Sequence, residues 1–242
     1  MRWEIQIDGP RAILRQLALV VSDNDIRLVR RDDHFFLSGS LLDSCRDIGN
    51  VRCEAGRIIT LLSGSARLSL GSTESLHIGR VTACEKITDR EPIDDSREAP
   101  RTRKLDAGTS IDEPSERNSW RRRSSLSKSL REALSNRAMA KALELRNAAD
   151  LNWVELVTIY NVIEEATGGR PAVASFSGVT ENAIKRLHQT AKSVAGAEDA
   201  ARDDRGTQLT SMPMTLTEAR SFIDHLLMSW FASVTLSRTS YR

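Results

Sequence analysis

The chain has 242 residues, which at about 150 residues per domain makes one or two domains. Hydrophobic residues are 40%, charged residues 28% and aromatic residues 5% of it, and Lys+Arg 35 against Asp+Glu 33 leaves a formal charge of +2. These values exclude a collagen-like, wholly disordered or disulfide-stapled chain, and they give no global electrostatic footprint for nucleic acid.

Strand and helix signals alternate from the start. Trp3, Ile5 and Ile7 alternate with Glu4, Gln6 and Asp8, the period of a half-buried strand, and Gly9-Pro10 stops it. Ile13, Leu14, Leu17, Val20 and Val21 then recur at helical spacing after Pro10, a residue suited to a first helical turn. Ser22 to Asp25 is a turn cluster. Ile26 and Leu28, then Phe35 to Leu37, flank Arg30-Arg31-Asp32-Asp33, which predicts a hairpin with its loop near Asp32-Asp33. Val51, Ala55, Ile58, Ile59 and Leu62 predict a second helix, closed by Gly64. Strands follow over Ala66–Leu70 and Leu76–Glu85, joined around Gly71-Ser72-Thr73. The order β-α-β-β-α-β-β predicts an α+β domain over 1–87, an antiparallel sheet carrying two helices on one face.

The pattern stops from Thr88 to about Asn118. Pro92, Pro100 and Pro114 fall among dense charges, and residues 85–117 hold ten acidic and seven basic side chains. With so few apolar residues, burial does not offset the entropy of ordering this segment. It is read as a flexible charged linker over 88–118.

Residues 119–242 read as an all-α bundle. Leu126, Leu130, Ala133, Leu134, Ala138, Ala142 and Leu145 form one long stripe rich in strong helix formers. Asn152 with Glu155 has capping-box spacing and opens a helix bearing Trp153, Leu156, Val157, Tyr160 and Ile163. Gly168-Gly169-Arg170-Pro171 is a stop signal. A helix over Glu181–Val194 comes next, then a loose stretch from Gly196 to Thr210. Thr215 and Glu218 make a second capping box, opening a helix with Leu216, Ala219, Ile223, Leu226, Leu227, Trp230 and Val234 on its apolar face.

The N-terminal residues lack the apolar run of a secretory signal, and Leu17–Val21 is too short to span a bilayer, so the chain reads as cytoplasmic. Cys45, Cys53 and Cys84 form no CxxC pair and are expected as buried thiols. His34, His77, His188 and His225 are scattered, so no metal site is predicted. The serines of Ser38-Gly39-Ser40, Ser63-Gly64-Ser65 and Ser175–Gly178 lack the nucleophile-elbow pattern. No Walker A or GxGxxG loop is present, and no cofactor is implied.

Charge concentrates at the front of the helical part. Between Arg117 and Arg146, nine basic residues face only Glu132 and Glu144, a net of +7. Arg121, Arg122, Arg123, Lys128 and Arg131 are the candidate contacts to a phosphate backbone, although no interleaved aromatics offer base stacking.

Two resemblances add to this. The Arg220-x4-His225 string is similar to the Arg-His signature of HEPN ribonucleases, which implies His225 as acid–base and Arg220 as stabiliser of the phosphoryl transition state. On a helical wheel Arg220 lies about 70° and His225 about 150° off the apolar stripe, flanking solvent. The helical half, from about 150 to 231, resembles an uncharacterised bacterial protein family. The resemblance rests on Leu151–Tyr160 with Val162–Glu165, on Leu187–Lys192 with Gly196, Asp199, Ala201 and Arg202, and on Met212–Arg220 with Leu226–Trp230. That family has asparagine and histidine where this chain has Lys192 and Asp203. It implies a helical domain and a bacterial origin, with no activity assigned, and by position Thr190, Arg202 and Asp203 are its candidate ligand-binding residues.

The sequence favours a non-catalytic module that binds a protein or small molecule through its helical domain, with an aromatic groove near Trp153, Tyr160 and Trp230. The alternative is a nucleic-acid binder through the basic segment, or a HEPN-like ribonuclease. Whether the chain is an enzyme stays open, and nothing indicates its oligomeric state.

Overall fold

Alternation of apolar and polar residues makes β1 (Arg2–Asp8) a two-faced strand, and it lies in the middle of the sheet. A computed structural model describes residues 2–84, 126, 127, 129–148, 150–199 and 213–239. After β1 come α1 (Arg11–Ala18), β2 (Arg27–Arg31), β3 (His34–Ser38), the short α2 (Ser40–Asp43), α3 (Ile48–Leu70) and β4 (His77–Cys84). The four strands lie in the order β2-β3-β1-β4, and every pair is antiparallel. With α1 between β1 and β2 and α3 between β3 and β4, this is the split β-α-β arrangement. The α+β class read from the sequence is the one observed.

The strands bury one face. Trp3, Ile5, Ile7, Leu28, Phe35 and Leu37 are buried with Leu14 and Leu17 of α1 and Val51, Ala55 and Ile58 of α3. The hairpin turns where expected, and Asp32 adopts a left-handed φ of 53°, a conformation aspartate tolerates.

Three expectations fail in this part. Gly64 does not close the second helix, and Ala66–Leu70 is helix rather than strand, because α3 runs on for 23 residues. Its end is at Gly71, in left-handed conformation with φ 69°. A Cβ on Gly64 would collide with the carbonyl oxygen of Leu143, so this glycine lets two backbones touch and does not break the helix. The cysteines also differ from expectation, since Cys53 is exposed and Cys45 and Cys84 are half-buried.

The helical part comprises α4, with described residues 126, 127 and 129–135, then α5 (Arg137–Arg146), α6 (Trp153–Thr167), α7 (Arg170–Ser177), α8 (Glu181–Asp199) and α9 (Leu216–Thr239). The long stripe predicted over 126–145 is interrupted at Asn136. Its side chain accepts hydrogen bonds from the Ala138 and Met139 amides at 3.0 and 3.3 Å and caps α5. The two predicted capping boxes are both present, Asn152 with Glu155 at 2.9 and 3.0 Å and Thr215 with Glu218 at 2.8 and 3.2 Å. Gly168 ends α6 in left-handed conformation, but α7 starts two residues later with Pro171 in its first turn. The same four residues are therefore a stop and a start, and α7 was not predicted. The α8 helix also continues through Gly196 to Asp199. The linker over 88–118 and most of the loose stretch after α8 lie outside the described residues.

Helix α5 packs on α3 and α6, and α9 packs on α6 and α7. The Arg146 guanidinium joins α5 to α9 through two bonds to the Asp224 carboxylate, at 2.6 and 3.0 Å. Among the described residues no helix is long and apolar enough to cross a membrane.

Candidate functional site

The sheet face turned away from α1 and α3 carries a pocket of about 460 Å³, within the range of about 300–1,000 Å³ common for small-molecule sites. Register explains its walls. Because Leu28 is buried, Arg27, Val29 and Arg31 project from the other side of β2, and Arg27 pairs in register with Ser38 of β3. On β1 the same alternation turns Arg2 and Glu4 outward, and Arg2 pairs with Cys84 of β4.

Most of the charge is already engaged. The Arg31 guanidinium donates to both Glu4 carboxylate oxygens, at 2.7 and 2.6 Å, and stands over the Phe36 ring at 5.5 Å. The hydrogen bond to Glu4 raises the Arg31 pKa against the opposing effect of burial. Asp43 accepts the Trp3 amide at 2.9 Å. Burial, then the neighbouring Glu4, raises the Cys84 thiol pKa, so this sulfur stays protonated and is not an activated nucleophile. Arg2 and Arg27 remain exposed and, among the described residues, without an ion pair. The pocket lining thus offers two free guanidinium groups beside a Ser38 hydroxyl.

One wall is a double layer of backbone. The Ser40 and Leu41 amides donate to the Asn24 and Asp25 carbonyls at 3.0 and 3.3 Å, and the Ser40 hydroxyl donates to Asp25 at 2.8 Å. Gly39, at φ 143°, is required there, because a Cβ would collide with the Asp25 carbonyl. Asn24, Arg27 and Ser40 face the pocket, while Asp25, Ile26 and Leu41 face a second cleft on the other side.

The residues singled out from the sequence lie elsewhere. Arg220 and His225 share α9 but have different partners. The Arg220 Nε donates to the Leu151 carbonyl at 3.0 Å, and its guanidinium lies 3.8 Å from Asp150. The His225 Nε2 lies 3.1 Å from the Ser177 carbonyl at the end of α7. Thr190 is buried, and its hydroxyl accepts the Met214 amide at 3.0 Å, fastening α8 to the start of α9. Arg131 pairs with Asp23 at 3.1 Å. Arg121, Arg122, Arg123, Lys128, Arg202 and Asp203 lie outside the described residues. The expected aromatic groove is not open, because Tyr160 is 0% and Trp230 2% exposed.

Tyr160 instead meets His188 edge to face, with ring centroids 4.8 Å apart. Burial, then the Glu164 carboxylate, raises the Tyr160 pKa, and burial with the Arg170 and Lys192 charges lowers that of His188. No described group of three or more His, Cys, Asp or Glu is placed to hold a metal ion.

Arg2, Arg27 and the pocket were missed by sequence reasoning. The alternation that turns them outward is visible in Arg27-Leu28-Val29, but nothing local says that β3 and β1 lie side by side. No family model matches the chain, and no curated protein or solved structure matches it.

Proposed function

We propose that this chain is a ligand-binding protein whose sheet pocket takes a small molecule bearing a phosphate or carboxylate group. The observation that supports this is that, among the described residues, Arg2 and Arg27 are exposed and without an ion pair in a pocket where the Glu4 and Asp43 carboxylates are already engaged. Guanidinium groups match planar anions with two parallel hydrogen bonds. Among the described residues the lining holds no activated nucleophile with a base beside it, which favours binding over covalent chemistry. A stacking platform for single-stranded nucleic acid fits this face less well, because its aromatic ring, Phe36, lies under Arg31. The role expected from the sequence, non-catalytic binding, is kept but moves from the helices to the sheet.

Calorimetric titration with inorganic phosphate, a nucleoside monophosphate and succinate tests this. At least one is expected to bind, and the Arg2→Ala/Arg27→Ala double variant to bind it about tenfold or more weakly, as for loss of charge-assisted hydrogen bonds. Binding by the double variant at unchanged affinity, or no binding by the native chain, refutes the reading.

A further inference from the structure

On the far side of the double-layered wall, a cleft of about 440 Å³ lies between the turn that follows α1 and helix α4. Six aliphatic side chains make up half of its described lining. Val20, Val21 and Ile26 come from the turn side, Leu41 from α2, and Leu130 and Leu134 from α4. Ser22, Ser127 and Ser135 with Asp23, Asp25 and Arg131 make the other half, so the cleft suits a small ligand with an alkyl part and a polar end.

The charges of the lining set the sign of the ligand. Among the described residues three are present, those of Asp23, Asp25 and Arg131. Arg131 is matched by Asp23 at 3.1 Å, with both side chains at least half exposed. Among the described residues Asp25 then remains as the charge without an ion pair, its carboxylate accepting from the neutral Ser40 hydroxyl at 2.8 Å. The described lining therefore carries one net negative charge beside its aliphatic side chains. A carboxylate on the ligand would meet Asp23 and Asp25, whereas an ammonium group would complete the set.

We propose that this cleft binds a small aliphatic amine, with the alkyl chain among Ile26, Leu41, Leu130 and Leu134 and the ammonium group against Asp25. The assignment is independent of the anion reading for the sheet pocket, because it rests on different side chains and on the opposite charge.

The test is a titration of the full chain with n-hexylamine, n-hexanol and n-hexanoate, followed through the methyl resonances of Ile26, Leu130 and Leu134. The amine is expected to shift these methyls at the lowest concentration, the alcohol to bind about threefold more weakly, and the carboxylate more weakly still, as an exposed charge interaction predicts. Asp25→Asn should bring the amine down to the alcohol without changing the alcohol. Leu134→Trp should abolish binding of all three by filling the cleft. If that variant fails to fold, Asp25→Asn, on the surface, still decides the matter. The proposal is overturned if hexanoate binds as tightly as hexylamine, if hexylamine shifts only methyls outside the cleft or none at all, or if Asp25→Asn leaves the amine-to-alcohol ratio unchanged.

Discussion

Helices α3 and α9 have almost the same length, 23 and 24 residues, yet the solvent sees them differently. On α9, Ala219, Ile223, Leu226, Leu227, Trp230 and Phe231 are buried while Glu218, His225 and Met228 are exposed, which is one-sided burial. On α3 the first half is also one-sided, but every residue from Leu61 to Ser69 is buried. That stretch includes Arg67, whose guanidinium donates to the Ser75 hydroxyl at 3.0 Å and whose pKa is lowered by burial and by Arg146. The difference shows what helical periodicity measures. It reports a boundary between core and water, and a helix covered on all sides has no such boundary to report.

The largest effect should come from the covered half of α3. Gly64→Ala forces a methyl group against the Leu143 carbonyl, and a backbone atom yields less than a side chain. A loss of about 3 kcal/mol is expected by denaturant titration. A loss below about 0.5 kcal/mol would show that α3 and α5 do not pack so closely. On α9, Asp224→Asn removes one partner of a pair in which Arg146 is 15% and Asp224 30% exposed. About 2 kcal/mol should be lost, between the values for exposed and buried pairs. At the one-sided start of α3, Asp47→Ala deletes the carboxylate that accepts the Asn50 amide at 2.9 Å, costing about 1 kcal/mol of thermal or denaturant stability.

The smallest effect is a pH dependence. Burial, Arg170 and Lys192 hold His188 below its ordinary value of 6.5, with Glu164 opposing them and the Tyr160 ring adding no charge. The folded state therefore favours neutral imidazole. The associated stability is complete above about pH 6.5 and is lost as pH falls through the folded-state value. His188→Gln should flatten that part of the stability–pH curve. An unchanged slope would place its origin elsewhere.

The sequence was most legible where structure is decided by neighbours. The Asn152 and Thr215 boxes, the Asp32 turn and the alternation of β1 each depend on residues within a few positions, and each is found in the fold. It was least legible where distant segments decide. Gly64 read as a stop because its partner, Leu143, is far along the chain. The second half of α3 read as a strand because full burial mimics a short apolar run. The pocket was hidden for the same reason. Arg31 is satisfied by Glu4, 27 positions away, and that pairing leaves Arg2 and Arg27 as the cations of the described pocket lining without an ion pair. The string on α9 that suggested a ribonuclease was local and cheap to form, and its two side chains hold different carbonyl groups.

The wall that joins residues 24–26 to 39–41 has one further consequence. It is a partition with two wetted sides, held by Gly39 where no side chain fits. A guest that displaces it on one side reshapes the vacancy on the other. The two occupancies then become linked quantities, and whatever factor the first guest imposes on the affinity of the second is returned in equal measure.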